Sequence, residues 1–200
     1  IRKPLRSALS AVQPALFHFM QRSKNMFTPK QHRYLVLSDS HGKANRIDTL
    51  LRRNRAVASG IVFLGDGLAD LFRVMPDYPD LVFYPIIGNC DSPYSAKLTQ
   101  AEPRRFLTLS DTKLLLTHGH LYGVKSSDSA LLREADACDL SVILHGHTHI
   151  ARAEQTLTPG GKTVLLANPG SLGDYFAPKF GVLEFYQNKP LFQIFEYLSE

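Results

Sequence analysis

The chain is poor in cysteine, holding only Cys90 and Cys138, and it has no Cys-x-x-Cys pair. A disulfide framework and a structural zinc knot are thereby set aside, and a reducing compartment is expected. No apolar run reaches the roughly 18–20 residues needed to span a bilayer, and the stretch from Ala11 to Met20 is broken by Gln13, Pro14 and His18. That interruption argues against a signal peptide and for a soluble, cytoplasmic protein without a membrane partner. Acidic residues are also missing from residues 1–33, where Arg2, Lys3, Arg6, Arg22, Lys24, Lys30 and Arg33 stand unopposed. The formal charge of +5 is therefore a property of this segment, because the remaining 16 basic and 18 acidic groups give net −2. The body of the chain is not expected to bind nucleic acid. Residues 1–33 are read as a basic N-terminal extension, a helical or disordered surface arm, ahead of a domain over residues 34–200.

With 44% hydrophobic residues in 200, the chain can bury one good core and not two large ones. There are no internal repeats and no low-complexity tracts. From Tyr34 to Leu37, Ile61 to Leu64 and Leu81 to Ile87, apolar runs alternate with amphipathic stretches at Asn45–Arg55 and Leu68–Met75, the signature of a parallel sheet. The second half carries short β-rich runs at Phe106–Leu109, Lys113–Leu116, Val142–Leu144, 152–157, 163–167, 180–186 and 191–197. One helical stretch, Asp128–Ala137, interrupts them. Thr158-Pro159-Gly160-Gly161 reads as a hairpin turn. Two stacked sheets with helices outside is the economical α/β architecture. The Arg52-Arg53-Arg55 cluster reads as a solvated helix face.

Polar residues cluster directly after the predicted strands. Ser38-Asp39-Ser40-His41-Gly42, Gly65-Asp66-Gly67 and Gly88-Asn89-Cys90-Asp91 follow the first three, and Thr117-His118-Gly119-His120 and His145-Gly146-His147-Thr148-His149 follow two later ones. Ligands of open α/β sheets bind beyond the carboxyl ends of the strands, so these clusters should converge on one crevice. Six of the eight histidines lie in them; only His18 and His32 do not. Asp39-x-His41 and His147-x-His149 each place two donors on one side of an extended or turn segment, enough to grip an ion. A mixed imidazole, carboxylate and amide set suits Mn²⁺, Ni²⁺, Fe, Co²⁺ or Zn²⁺ rather than Mg²⁺ or Ca²⁺. A carboxylate such as Asp66 can bridge two such ions.

The ordered set Asp-x-His, Gly-Asp, Gly-Asn-x-Asp, His-Gly-His and Gly-His-x-His resembles the calcineurin-like metallophosphoesterase superfamily over residues 34–175. Gly88-Asn89-Cys90-Asp91 and Asn168-Pro169-Gly170-Ser171 resemble its small YfcE-like phosphodiesterases. The resemblance implies a four-layer αββα sandwich of two mixed sheets flanked by helices. It implies that Asp39, His41, Asp66 and His149 hold one divalent ion, Mn²⁺ first among the candidates. Asp66, Asn89, His118 and His147 would hold the second, with Asp66 bridging. Asp66, Asn89 and His118 become the candidate catalytic residues, and Asn89, Cys90 and His120 the candidate substrate contacts. A water between the two cations would act as nucleophile on a small phosphate ester, most naturally a diester.

One departure matters. Larger members of the superfamily have a histidine where Cys90 stands, a group thought to protonate the leaving group, so activated esters are expected to react best here. His120 is read as a hydrogen-bonding support for a ligand or as a phosphate contact, His145 as structural, and Asn168–Ser171 as a turn or site wall. Two other functions share the resemblance: a protein-interaction scaffold like the retromer subunit of this fold, and a nuclease. The filled ligand positions favour an enzyme over the first. The net charge of the domain and Cys90 argue against the second. A homo-oligomer is suggested by the family and by nothing in the chain itself.

Overall fold

A computed structural model describes residues 32–199. The proposed extension therefore lies outside the described residues, save for its last two, His32 and Arg33, of which Arg33 opens the first strand. In chain order the elements are β1 (Arg33–Leu37), α1 (Ala44–Asn54), β2 (Gly60–Phe63), α2 (Leu68–Val74), β3 (Phe83–Pro85), α3 (Pro93–Thr99), β4 (Arg104–Leu109) and β5 (Thr112–Thr117). There follow α4 (Ser129–Ala137), β6 (Val142–Leu144), β7 (Arg152–Leu157), β8 (Thr163–Asn168), β9 (Lys179–Tyr186) and β10 (Lys189–Glu196).

The strands form two mixed five-stranded sheets, ordered β10-β9-β1-β2-β3 and β4-β5-β6-β8-β7. In the first, β1, β2 and β3 run parallel; in the second, β5, β6 and β8 do. In the central strands β1, β2, β5, β6 and β8 the polar residues fall at or next to the strand ends, and the apolar stretches between them are buried because both faces are covered. Along β1, Tyr34 and Val36 face the second sheet and join Val62, Leu114, Leu116, Val142 and Leu144 in the inter-sheet core. Leu35 and Leu37 point the other way, against Ile47, Leu50 and Leu51 of α1 and Leu68 and Leu71 of α2. On the outer face of the second sheet, Leu115, Ile143 and Leu166 pack on Leu131 and Ala135 of α4. Helices, sheet, sheet and helix are thus stacked as the expected αββα sandwich. The spacing of Ile47, Leu50 and Leu51, three and then one apart, is one face of a helix and accounts for α1.

The expected hairpin is present, with β7 and β8 antiparallel and Leu157 paired to Thr163. The apolar run Leu81–Ile87 contributes a strand only over Phe83–Pro85. Helix α3 was not expected; its buried positions are the polar Ser95 and Thr99, so it shows no apolar stripe. Its start is nevertheless written locally: Ser92 caps it, accepting the Ser95 N–H at 3.0 Å, and Pro93 follows at the first position, where its missing N–H is harmless. Among the described residues no helix is long and apolar enough to cross a membrane.

Candidate metal centre

The carboxyl ends of β1, β2 and β3 in one sheet and of β5, β6 and β8 in the other carry all the polar clusters singled out above. The loops leave the strands through unusual backbone. Asp39, His41, Asp66, His147 and His149 all have positive φ, between 42° and 67°, a region that residues with a Cβ enter at some cost. Strain therefore falls on the candidate ligands themselves. It turns their side chains back over the strand ends instead of along them.

Two groups assemble. In the first, the Asp39 carboxylate meets His149 Nε2 at 3.2 Å and His41 Nε2 at 3.9 Å, while the two imidazole nitrogens are 3.3 Å apart. Asp39 is fully buried. Its Oδ2 accepts hydrogen bonds from the Ser38 hydroxyl and the His147 N–H, whereas its Oδ1 has no hydroxyl or backbone donor and faces only the imidazoles of His149 and His41. A buried carboxylate oxygen left bare costs several kcal/mol unless a cation meets it. In the second group, the Asp66 carboxylate lies 3.4 Å from His118 Nε2, and His147 completes a set whose donor atoms lie within 4.8 Å of one another. Asn89 joins them, its Oδ1 3.1 Å from His118 Nε2. His118 Nδ1 donates to the Leu64 carbonyl at 2.6 Å, so a neutral ring presents only a lone pair from Nε2 to two further acceptors. Such a convergence is satisfied by a second proton on His118, which then donates from Nε2, or by a divalent cation in its place. All seven expected ligands are thus brought to two neighbouring groups. Asp66 sits in the second group, and the first is complete as a triad without it.

Proton affinities record the same crowding. Burial pushes the Asp66 carboxyl up, but hydrogen bonds from His118 and the Cys90 N–H overcome it and hold the group well below the ordinary carboxylate range. Burial lowers His118 while Asp66 and Asp39 raise it, with a net rise. His149 is raised by its hydrogen bond to Asp39 against burial. His147 and His120 are lowered, first by burial and then by the neighbouring His118. The Cys90 thiol is pushed up by Asp66 and by burial, so it stays protonated at neutral pH. The thiol itself is exposed and accepts from Asn89 Nδ2 at 3.2 Å. Cys138 lies elsewhere and is also free.

His120 is half-buried beside His118, ring centroids 5.3 Å apart, with its Nδ1 unpartnered. Its ring also lies against that of His147, centroids 6.1 Å apart, so it packs on two members of the second group without being one of its ligands. His145 is structural, as expected. It is buried, its Nε2 accepts from Arg152 at 2.9 Å, and Arg152 is paired to Asp128. Burial and then Arg152 push it down to about 4. Asn168 Nδ2 donates to the Gly146 carbonyl and to Thr148 Oγ1, and Ser171 Oγ donates to the Asp39 carbonyl, all within 3.0 Å. The Asn168–Ser171 turn therefore braces both ligand loops from behind. In the Arg cluster, Arg55 pairs with the exposed Asp80.

Sequence reasoning missed two acidic braces. Asp91 accepts four backbone N–H groups, from Asp66 and Gly88 on Oδ2 and from Gly67 and Leu68 on Oδ1, each at 2.8 Å. It ties the loop after β2 to the loop after β3. Asp70, buried in α2, accepts Ser40 Oγ and the Gly42 N–H at 2.7 Å, which fixes the segment between Asp39 and His41. The signal for Asp91 was its place in Gly88-Asn89-Cys90-Asp91; Asp70 gave none.

Residues 33–187 match the calcineurin-like phosphoesterase superfamily domain. YsnB of Bacillus subtilis, a probable metallophosphoesterase, is 33% identical over 139 residues, 69% of this chain and 73% of its own length. The phosphodiesterase YfcE of Escherichia coli is 34% identical over 95 residues, 43% of this chain and 48% of YfcE. Among solved structures, a Streptococcus pneumoniae protein described as a predicted phosphoesterase superposes with a TM-score of 0.66 at 20% identity, over 84% of this chain and 90% of the other. Vacuolar Protein Sorting 29 of Cryptosporidium parvum gives 0.61 at 17% identity, over 84% and 99%. At these identities the two structures speak for the fold alone. The sequence match runs through both strand-end loop systems that gather the ligands, and by it the chain belongs to the calcineurin-like phosphoesterase superfamily, a class of hydrolases acting on phosphoric ester bonds.

Proposed function

We propose that this protein hydrolyses phosphate esters, phosphodiesters foremost, at two divalent transition-metal ions. One would be held by Asp39, His41, His149 and Asp66, the other by Asp66, Asn89, His118 and His147, with Asp66 shared. The observation that carries this reading is the buried Asp39 Oδ1, which faces two imidazole nitrogens and has no hydroxyl or backbone donor. Mn²⁺ is our first candidate and Ni²⁺, Fe, Co²⁺ and Zn²⁺ follow, on the mixed nitrogen and oxygen donor set. Such ions, when bound, supply Lewis acidity toward phosphoryl oxygens and lower the pKa of water.

The chain's own residues do the positioning. Asn89 keeps amide hydrogens that can turn toward a phosphoryl oxygen, and His120 borders the same space with a free ring nitrogen. Its lowered proton affinity makes it a poor acid at neutral pH, and the Cys90 thiol donates poorly as well. Esters with good leaving groups should therefore turn over fastest. The unpaired cysteines suit a reducing compartment, and we assign the reaction to the cytoplasm. A homo-oligomer belongs to this reading only through the family.

The test is metal analysis of purified protein together with hydrolysis of bis-p-nitrophenyl phosphate. Stimulation by Mn²⁺ or Ni²⁺, abolished in Asp66→Ala, is the expected result. An intact, metal-loaded protein without turnover of activated diesters or monoesters would overturn it and favour the scaffold reading suggested by the likeness to Vacuolar Protein Sorting 29.

A further inference from the structure

A cavity of about 400 Å³ opens beside the candidate metal centre, with His41 and Asp66 in its wall. Helix α2 forms its floor. Ala69 and Arg73, four residues apart on one face of α2, line this cavity together with Cys90 and Ser92 of the loop after β3. The small Ala69 side chain leaves the floor open between the centre and Arg73. At 1.5 Å per residue, Arg73 lies about 7 Å along the axis from the start of α2, and its long side chain covers several further ångströms.

The charges lining this cavity are not equivalent. Three of them are carboxylates and all three are engaged. Asp66 takes the Cys90 N–H and faces His118; Asp70 takes Ser40 and Gly42; Asp91 takes four backbone N–H groups. Arg73 has no hydrogen bond or ion pair among the described residues. Its neighbours in the cavity wall are acids already committed elsewhere, so a guanidinium with five donors faces the cavity without a protein acceptor.

We infer that this cavity is a subsite for a second anionic group on the substrate, and that Arg73 receives it. Resting on the phosphoesterase reading above, this narrows the substrate class to small phosphate esters whose organic part bears a further phosphate or carboxylate. That group would sit on the order of 10 Å or less from the scissile phosphorus, given the length of α2. Both oxyanions present the planar or tetrahedral edge that a guanidinium grips with two parallel hydrogen bonds.

The test uses the full chain loaded with Mn²⁺ and three rigid, non-hydrolysable probes: phenylphosphonate, para-phosphonobenzoate and para-benzenediphosphonate. Titration calorimetry should show one or both doubly anionic probes binding about tenfold more tightly than phenylphosphonate. The preferred arm tells carboxylate from phosphate. In Arg73→Gln that preference should collapse, and in Arg73→Lys it should be partly restored, because the charge remains and the fork does not. Equal affinity of all three probes for the wild-type protein, or a preference that survives in Arg73→Gln, overturns the subsite. Turnover of bis-p-nitrophenyl phosphate, measured in parallel, keeps the two readings apart. Turnover without the preference sinks the subsite alone, and the preference without turnover sinks the phosphoesterase reading while leaving an anion site.

Discussion

His118 Nε2 and Asn89 Oδ1 face each other at 3.1 Å, and the one N–H of a neutral His118 ring is directed away, to the Leu64 carbonyl. Two acceptors held this close repel each other unless a second proton on His118 or a metal cation lies between them. Asp39 Oδ1, buried and facing His149 Nε2 at 3.2 Å, repeats the situation in the neighbouring triad.

Metal removal should therefore destabilise the fold as well as stop catalysis. A cation present at a hundredfold excess over its dissociation constant adds about 2.7 kcal/mol per site, or about 5–10 °C in Tm for a domain of this size. Thermal unfolding in a chelator, then with Mn²⁺ restored, measures it. An unchanged Tm across both conditions would count against both ligand groups.

Asp91→Ala should cost about 2–4 kcal/mol, because four N–H groups lose a charged acceptor in one substitution. Urea denaturation gives the stability, and Mn²⁺ titration of the folded variant should show weakened binding, since Asp66 and Asn89 hang from the loops that Asp91 joins. A loss under about 0.5 kcal/mol would mean that water replaces the carboxylate readily.

Gly88→Ala separates site geometry from fold. A Cβ at Gly88 would overlap the carboxylate oxygen and backbone nitrogen of Asp66, so the shared ligand must move. Overpacking of this kind costs about 1–3 kcal/mol, which a folded domain can absorb, whereas hydrolysis should fall at least about a hundredfold. Wild-type activity in Gly88→Ala would show that Asp66 need not stay where it is.

The pH dependence of stability has one clear contributor far from the centre. Burial and a hydrogen bond to Asp48 push the Tyr78 phenol up to about 12 from its ordinary 10.0. The folded state thus favours the protonated phenol. Its contribution is complete below pH 10 and is lost as pH rises toward 12, a decline of about 2 kcal/mol. Tyr78→Phe should be less stable near neutrality by about 1 kcal/mol and should lack that share of the alkaline decline. Urea midpoints followed from pH 9 to 12 in both proteins give the comparison.

Much of this molecule could be read from the chain because its chemistry is local. Asp39-x-His41 and His147-x-His149 announce themselves within three residues, and the alternation of apolar runs with Ile47, Leu50 and Leu51 fixes both the layers and the end of the sheet where ligands gather. What escaped was tertiary. The hydrogen bonds from Asp66, Gly67 and Leu68 to Asp91 join side chain to backbone across more than twenty positions, and a backbone N–H leaves no mark in a sequence. The left-handed conformation of Asp39 and His149 is likewise imposed by the loops that anchor them, against the local preference of those residues. Arg73 carries no signal in the sequence, and only the cavity beside α2 gives it a direction.

Each ligand triad draws from both sheets: Asp39 and His41 from the loop after β1 with His149 from beyond β6, and Asp66 from the loop after β2 with His118 and His147 from the second sheet. A cation in either triad is therefore a rivet through the sandwich, joining residues as far apart as His41 and His149, 108 positions along the chain. In a protein whose cysteines are both free, coordination would close the long loops that disulfides close elsewhere. Sliding of one sheet against the other would then be checked at the edge where the substrate must enter.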